Sequence, residues 1–508
     1  MFVRKKPNKS GSVSVQIVEK QGRTNRVIES IGCSNDPDDI ARLYEQAYKR
    51  MYDLQHQPSL PLDDTSEIID RFLDSLASNQ IRVVGPELIF GSLFDQMGLN
   101  QIDDALFRDV VITRIAYGGS KRKVAEYLRL YRNRIVDTDR IYRLMDRIEQ
   151  HYKESIETIL FAHTQKILGS IQVVFYDMTT LYFEAEEEDD FRKIGFSKDG
   201  KFQNPQIMLG LLVGEKGYPI GYELFEGNTW EGHTLIPVLQ AFQKRFDLDK
   251  PIVVADSGLL SKENINELKA KGYGYIIGAR IKNMNDMCKQ KILAAKLNED
   301  GASAEIQQKE GTRLILSYSD KRAKKDAHNR AKGLKRLEKR VQSGKLTKEH
   351  INNRGYNKYL ILKNRIDVAI DYEKYERDSQ WDGLKGYITN TDLSPKAVIE
   401  NYANLWQIEK AFRMSKSDLK IRPVYHRKRA RITSHICIAF TAYGIYKELE
   451  RRLYAIKAPF GVEYARELSK TMYGLSYTYP GSTQEQFKLL GLSSEQKLLY
   501  DLAQNAQL

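Results

Sequence analysis

Val173-Val174-Phe175-Tyr176-Asp177 and Pro251-Ile252-Val253-Val254-Ala255-Asp256 are two short apolar runs that each close on an aspartate. Runs of this length, bounded by polar residues, read as strands buried on both faces. A carboxylate at the end of such a strand is costly unless a cation or hydrogen-bond donors satisfy it, so two of them point to a site rather than to packing. The stretch between them completes a pattern. Leu181-Tyr182-Phe183-Glu184 prolongs the first strand. Ile207 to Val213 and Tyr218 to Phe225 flank the turn Gly214-Glu215-Lys216-Gly217 as a hairpin, and His233 to Phe246 is helical. After Asp256 come a helix from Ser261 to Lys271 and a strand from Tyr273 to Ile277. The order β, β, β, α, β, α, β places the chain in the α/β class.

Asp177 and Asp256 meet if the sheet sets the first and fourth of these strands side by side, which is the ribonuclease H-like mixed-sheet arrangement. Facing carboxylates repel, a divalent cation relieves the repulsion, and hard oxygen donors suit magnesium or manganese better than zinc. A third acid is then expected. Asn390-Thr391-Asp392-Leu393-Ser394-Pro395 is a cap with proline at the first helical position, opening a helix predicted to run from Pro395 to Leu419. Tyr402, Trp406, Glu409, Phe412 or Arg413, and Lys416 share one face of it, with Glu409 central. Aromatics at this spacing are ordinarily core and charges ordinarily surface. The two strand-end aspartates in the right order are what single out Glu409. If metal relieves repulsion, Asp256→Asn is expected to raise the apo melting temperature while abolishing the chemistry.

Outward from this centre, 508 residues suffice for a catalytic core with attached modules. The 80 Lys+Arg against 67 Asp+Glu leave a formal +13, which favours a polyanionic partner, nucleic acid first. Cys33, Cys288 and Cys437 are scattered and odd in number, against a disulfide framework or zinc cluster. The start Met-Phe-Val-Arg-Lys-Lys lacks the apolar stretch of a secretory signal, and Ile436 to Tyr446 is too short for a membrane span and reads as a buried helix. A cytoplasmic, nucleoid-associated protein is expected, without a membrane partner.

Residues 1–60 read as a β-hairpin, turning at Gln21-Gly22-Arg23, followed by a helix from Asp36-Pro37 to about Gln55; Pro58 and Pro61 begin a linker. Residues 61–168 read as helical. Within them Ser120-Lys121-Arg122-Lys123 and the helix after Asp137-Thr138 are compatible with a helix-turn-helix that offers Lys121, Arg122 and Lys123 to phosphates, a DNA-end-binding region. Residues 169–282 are the first part of the catalytic core, 283–385 a strongly basic insertion with partial β structure suited to DNA contact, 386–460 the catalytic helix and end of the core, and 461–508 a tail suited to dimer contacts.

Over roughly residues 170–450 the sequence resembles the DDE transposases of bacterial insertion sequences, in the group marked by Tyr-x2-Arg-x3-Glu-x6-Lys. Tyr402, Glu409 and Lys416 stand in register, while Leu405 occupies the arginine position. Tyr176-Asp177-Met178-Thr179-Thr180 and Ala255-Asp256-Ser257-Gly258 are similar to the family's two aspartate blocks, as are Gly227 to Thr234 and the insertion, which the family makes β-rich. The resemblance implies Asp177, Asp256 and Glu409 holding two divalent metal ions. It implies double-stranded DNA as partner, release of an element at terminal inverted repeats by cut-and-paste, strand transfer, and a homodimer on DNA. It also implies Tyr402 and Lys416 at the transposon end. Arg413, on the same helix as the missing arginine, and Arg422, His426 and Arg427, which follow just after, are less specific candidates for phosphate contact that the resemblance does not itself carry. The alternatives are a ribonuclease H-like nuclease that cuts without joining and a DNA-binding protein that has kept only the fold.

Overall fold

Alternation in Val13 to Val18 makes the first core. The computed structural model describes the chain except residues 23, 55–69, 71, 75, 77–79, 247–249, 260, 345, 364–366, 479–483 and 507–508. The turn at Arg23 and the linker at Pro58 and Pro61 therefore lie outside the described residues. Two units, Met1–Gln80 and Ile81–Leu508, separate. In the first, β1 (Phe2–Pro7), β2 (Val13–Gln21) and β3 (Thr24–Ser34) form an antiparallel meander, and α1 (Pro37–Leu54) packs Ala47 and Met51 against Val3, Val15 and Ile17. Three strands replace the expected hairpin: β1 carries Arg4, Lys5 and Lys6, and its single inward residue, Val3, leaves no apolar rhythm to read.

The second unit is built on one mixed sheet. β4 (Ile81–Val83), which lies outside that sheet, opens the unit, followed by α2 (Ala105–Ala116), α3 (Lys121–Arg132), α4 (Thr138–Arg147) and α5 (Lys153–Leu168). β5 (Val173–Tyr182), β6 (Gln206–Val213) and β7 (Pro219–Glu226) are antiparallel neighbours. Then α6 (Leu235–Phe246), β8 (Ile252–Ala255), α7 (Lys262–Ala270) and β9 (Tyr275–Ala279) follow, with β8 parallel to both β5 and β9. The order β7-β6-β5-β8-β9 is the ribonuclease H-like arrangement, with the first and fourth strands adjacent.

Burial on both faces follows the two-residue period of the strands. Val173, Phe175 and Leu181 of β5 join Val254 and Ile276 on one face, while Val174, Tyr176 and Met178 join Val253, Ala255, Tyr275 and Ile277 on the other. α6 and α7 cover the second face through Leu235, Leu239, Phe242 and Leu268. The first face is covered by α2 to α5 and by the long helix whose Ile436 to Tyr446 stretch is buried.

Residues 283–385 continue the sheet. α8 (Asp286–Ala294), β10 (Ser303–Gln307), β11 (Arg313–Tyr318), α9 (Asp320–Gln342), the ribbon β12 (Leu360–Lys363) with β13 (Asp367–Ile370), and β14 (Leu384–Thr389) follow in order; β14, β11 and β10 extend the sheet antiparallel beyond β9. The longest element of this β-extending insertion is the helix α9.

The helix predicted from Pro395 to Leu419 breaks into α10 (Pro395–Ala403), α11 (Trp406–Arg413) and a wide turn, Met414–Asp418. α12 (Arg429–Ala455) then crosses the core, followed by α13 (Val462–Ser469), β15 (Tyr473–Thr478), β16 (Glu485–Leu489) and α14 (Ser494–Gln504). The tail is not a free arm. β15 pairs with β4, Leu499 and Leu502 of α14 are buried in the main core, and Gln504 Nε2 donates to the Leu88 carbonyl at 2.8 Å. Among the described residues no helix is long and apolar enough to cross a membrane. The three cysteines are free thiols.

Candidate active site

Register brings the acids together. The parallel pairing of β5 with β8 ends at Tyr176 opposite Ala255, so Asp177 and Asp256 are the next residues on adjacent strands. By parity with Val173, Phe175 and Val254, both face the side of the sheet on which α10 and α11 pack through Val398, Tyr402, Ile408 and Phe412. A cavity of about 430 Å³ is lined by Asp177, Asp256 and Glu409 together with Tyr402, Lys385, Arg322 and Trp406. Asp177 lies mid-strand rather than at a strand end, because β5 runs on beside β6 after β8 has stopped.

The environments of the two aspartates differ. Asp177 is three-quarters covered; its Oδ1 accepts the Met178 N–H at 2.7 Å and lies 3.7 Å from Lys198 Nζ. Burial lifts its carboxyl to about 6, against the pull of Lys198 and that N–H, and the charges of Glu231 and Asp256 add to the rise. Lys198 Nζ also lies 2.8 Å from Glu231 Oε1 and donates to the Met178 carbonyl at 2.6 Å. Asp256 is exposed, and its Oδ1 accepts from the Ser257 N–H at 2.6 Å and from the Tyr402 hydroxyl at 3.3 Å. Glu409 is exposed on α11.

Since Asp256 is exposed and Asp177 is three-quarters covered, the cost of burying an apo charge falls on Asp177, and the expectation for Asp256→Asn passes to Asp177→Asn. A folded pKa near 6 stands above the ordinary value of about 3.9. The penalty is absent well below pH 4, grows between pH 4 and 6, and is complete above 6. In chelator, Asp177→Asn should therefore be more stable than wild type by roughly 1–3 kcal/mol at pH 7.5 and near parity at about pH 3. Denaturation at the two pH values checks this, and a stability loss at pH 7.5 would contradict it.

Several residues expected at a DNA end are otherwise engaged. Tyr402 is buried, its ring 4.8 Å from that of Tyr387 and under Lys385 Nζ at 4.3 Å, so it supports Asp256 rather than offering a face to bases. A Cβ at Gly278 would run into its hydroxyl, which is why β9 carries glycine there. Leu405, at the signature arginine position, is buried at the break between α10 and α11; Arg413 is exposed one turn beyond Glu409.

Lys416 lies 3.3 Å from both carboxylate oxygens of Asp199, and Arg422 pairs with the same acid, so neither cation stands open. Burial lowers His426 to about 3, reinforced by Lys121, Arg114 and Arg431, which makes it neutral rather than a phosphate cation. Lys121 is buried: it shares the inward stripe of α3 with Val124 and Leu128, leaving Arg122 and Lys123 exposed. Arg427 is exposed. Lys198, Lys385 and Glu231 escaped the sequence reading; only Glu231 carried a signal, inside the block Gly227 to Thr234.

A family model for the transposase DDE domain matches residues 168–445, from the end of α5 into α12. The chain belongs to the DDE transposase family. The transposase is thus an enzyme that cuts DNA strands and transfers them, in a family that uses divalent metals. No curated protein matches the chain. Among solved structures it is similar to the piggyBac transposase synaptic complex with hairpin DNA, at 9% identity over 76% of each chain and a TM-score of 0.39. It is also similar to the Mos1 transposase paired-end complex with left transposon end, at 13% identity over 46% of this chain and 71% of that one, TM-score 0.16. At these scores the likenesses carry no weight beside the family match.

Proposed function

We propose that Asp177, Asp256 and Glu409 are the catalytic acids of this transposase and that they hold two divalent ions, magnesium or manganese. The reading rests on the adjacent register of Asp177 and Asp256 on one sheet face, with Glu409 lining the same cavity. Among the described residues no three His, Cys, Asp or Glu side chains form a closed metal cluster. The donors nonetheless fit a hard cation. They are carboxylate oxygens, among the described residues no arginine is paired to any of them, and burial lifts the Asp177 carboxyl even with Lys198 beside it, so a bound cation would relieve it. When bound, the metal pair supplies an activated water or DNA 3′-hydroxyl and charge neutralisation at the leaving oxygen.

The chain's own residues define the rest. The Tyr402 hydroxyl orients the Asp256 carboxylate, and Lys198 balances Asp177 and Glu231. Lys385 lines the cavity wall where a phosphate would lie; burial holds it below its ordinary range and Arg322 lowers it further, while Asp256 and Glu409 oppose this and favour its charged form. Cleavage at both ends of an element requires two such sites in one complex, so the working form is a homodimer on double-stranded DNA, acting by cut-and-paste at terminal inverted repeats. The helices from Ala105 to Leu168 are its DNA-end reader, through Arg122 and Lys123 on α3 and Arg140 and Arg143 on α4.

The test is cleavage of a labelled duplex carrying the element's end, in magnesium, manganese and EDTA, by wild type and Glu409→Gln. Wild type should nick at the element boundary only with metal. The variant should bind and not cut; equal cutting by the variant would discard this site.

A further inference from the structure

Away from the carboxylate cavity, Arg114 of α2 and Lys121 of α3 are both buried, at 3% and 4% exposure. Lys121 Nζ has no hydrogen-bond partner. Arg114 donates through Nη1 to the Leu419 and Lys420 carbonyls, each at 3.2 Å, and through Nη2 to His435 Nδ1 at 3.2 Å. His435 Nε2 lies 2.9 Å from the Ile421 carbonyl. A guanidinium only donates and a carbonyl only accepts, so His435 is the neutral Nε2–H tautomer and brings no charge of its own.

These groups border a cavity of about 500 Å³ between the α2–α3 turn and residues 420–426, a size ordinary for a small-ligand site. Arg122, Lys123, Lys420 and Arg422 complete its charged lining, and among the described residues no Asp or Glu lines it. Arg422 has its own acid in Asp199. The turn is fitted to this place: Gly118 and Gly119 have φ of +58° and +114°, and a Cβ at Gly118 would lie 3.1 Å from the Lys420 side chain laid over it. A buried ammonium beside a buried guanidinium, with no carboxylate among the described residues lining their cavity, is destabilising by itself. Burial and Arg114 push Lys121 well below its ordinary range. Such an arrangement persists where an anion completes it.

We propose that this cavity is a phosphate-binding site, separate from the catalytic carboxylates, in which one tetrahedral phosphate group supplies the missing charge for Lys121 and Arg114. That the phosphate belongs to DNA rests on the transposase reading; that the cavity takes phosphate does not. The source is either an internal phosphodiester or a terminal 5′-phosphate.

The full chain is titrated with sodium phosphate against sodium chloride of equal ionic strength, following Tm. Wild type should gain several degrees from phosphate and none from chloride. Lys121→Met should start from a higher apo Tm, since a buried amine without a hydrogen-bond partner is gone, and should lose the phosphate shift. Glu409→Gln should keep that shift. A wild type indifferent to phosphate, or a Lys121→Met protein that keeps the full shift, overturns the site.

The source is read from binding of short duplexes with and without a 5′-phosphate. A roughly tenfold loss of affinity in Lys121→Met for both duplexes identifies an internal phosphodiester, and a loss only for the phosphorylated one identifies the terminal group. A protein that shows the phosphate shift yet never cuts DNA would leave this site standing and remove the catalytic reading.

Discussion

Asp256→Asn and Glu409→Gln should each lower metal-dependent cleavage by about a thousandfold or more, and the double variant should lose no more than the worse single one. Acids that hold one metal pair act as a unit, so removing one already disables the others. Independent contributions would multiply instead. The starting geometry supports the unit: Asp177 and Asp256 follow the last paired residues of β5 and β8, and Glu409 lines the cavity they share. DNA affinity measured in EDTA should change less than threefold in all three variants, because no phosphate contact is touched. Single-turnover cleavage of an end-bearing duplex decides it. Multiplying losses would mean that Glu409 serves another purpose than holding metal with Asp256.

The strands that carry the site were legible because they are buried on both faces and read as unbroken apolar runs closing on acid. Strand order then fixed which two acids meet. Glu409 was legible only in company, since a lone glutamate on an aromatic helix is usually surface. What the sequence concealed was depth. Lys121 looks like one of three solvent cations, yet position 121 falls on the same stripe as Val124 and Leu128, and the helical period, not the charge, decides where it goes. Tyr402 was read as an aromatic for DNA and packs instead under Lys385 and over Gly278. The break at Asn404 and Leu405 has neither proline nor glycine to announce it, and Leu405 is drawn into the core there. Lys198 reaches Asp177 from a loop with no periodicity, a contact that only the folded chain creates.

Glu448→Leu should destabilise the second unit by about 3–5 kcal/mol, although it lies outside both cavities. The carboxylate, fully buried on α12, has donors on several elements. Arg451 Nε and Nη2 lie at 2.9 and 2.6 Å, Arg452 Nε at 2.8 Å, the Tyr218 hydroxyl at 3.1 Å and His163 Nε2 at 3.4 Å. Arg452, also buried, continues to Gln96 Oε1 and the Asn505 carbonyl, each at 2.8 Å, and so joins α12 to the chain's last helix. Removing the carboxylate leaves the Arg452 guanidinium in the core with no countercharge, and that penalty exceeds the gain from an apolar side chain. Glu448→Leu combined with Arg452→Met should therefore recover part of the loss, which independent sites would not do. Burial alone would raise the Glu448 carboxyl, but hydrogen bonds from Arg451, His163 and Arg452 outweigh it and hold the group far below the usual carboxylate range. Its stabilising effect is then complete above the ordinary value of about 4.3 and fades as pH falls below it. Urea unfolding of wild type, Glu448→Leu and the double variant at pH 7 and pH 3.5 tests both points. The gap between wild type and Glu448→Leu should be wide at pH 7 and narrower at pH 3.5; a gap under about 1 kcal/mol at pH 7 would mean that the cluster is no more than a surface ion pair in its effect.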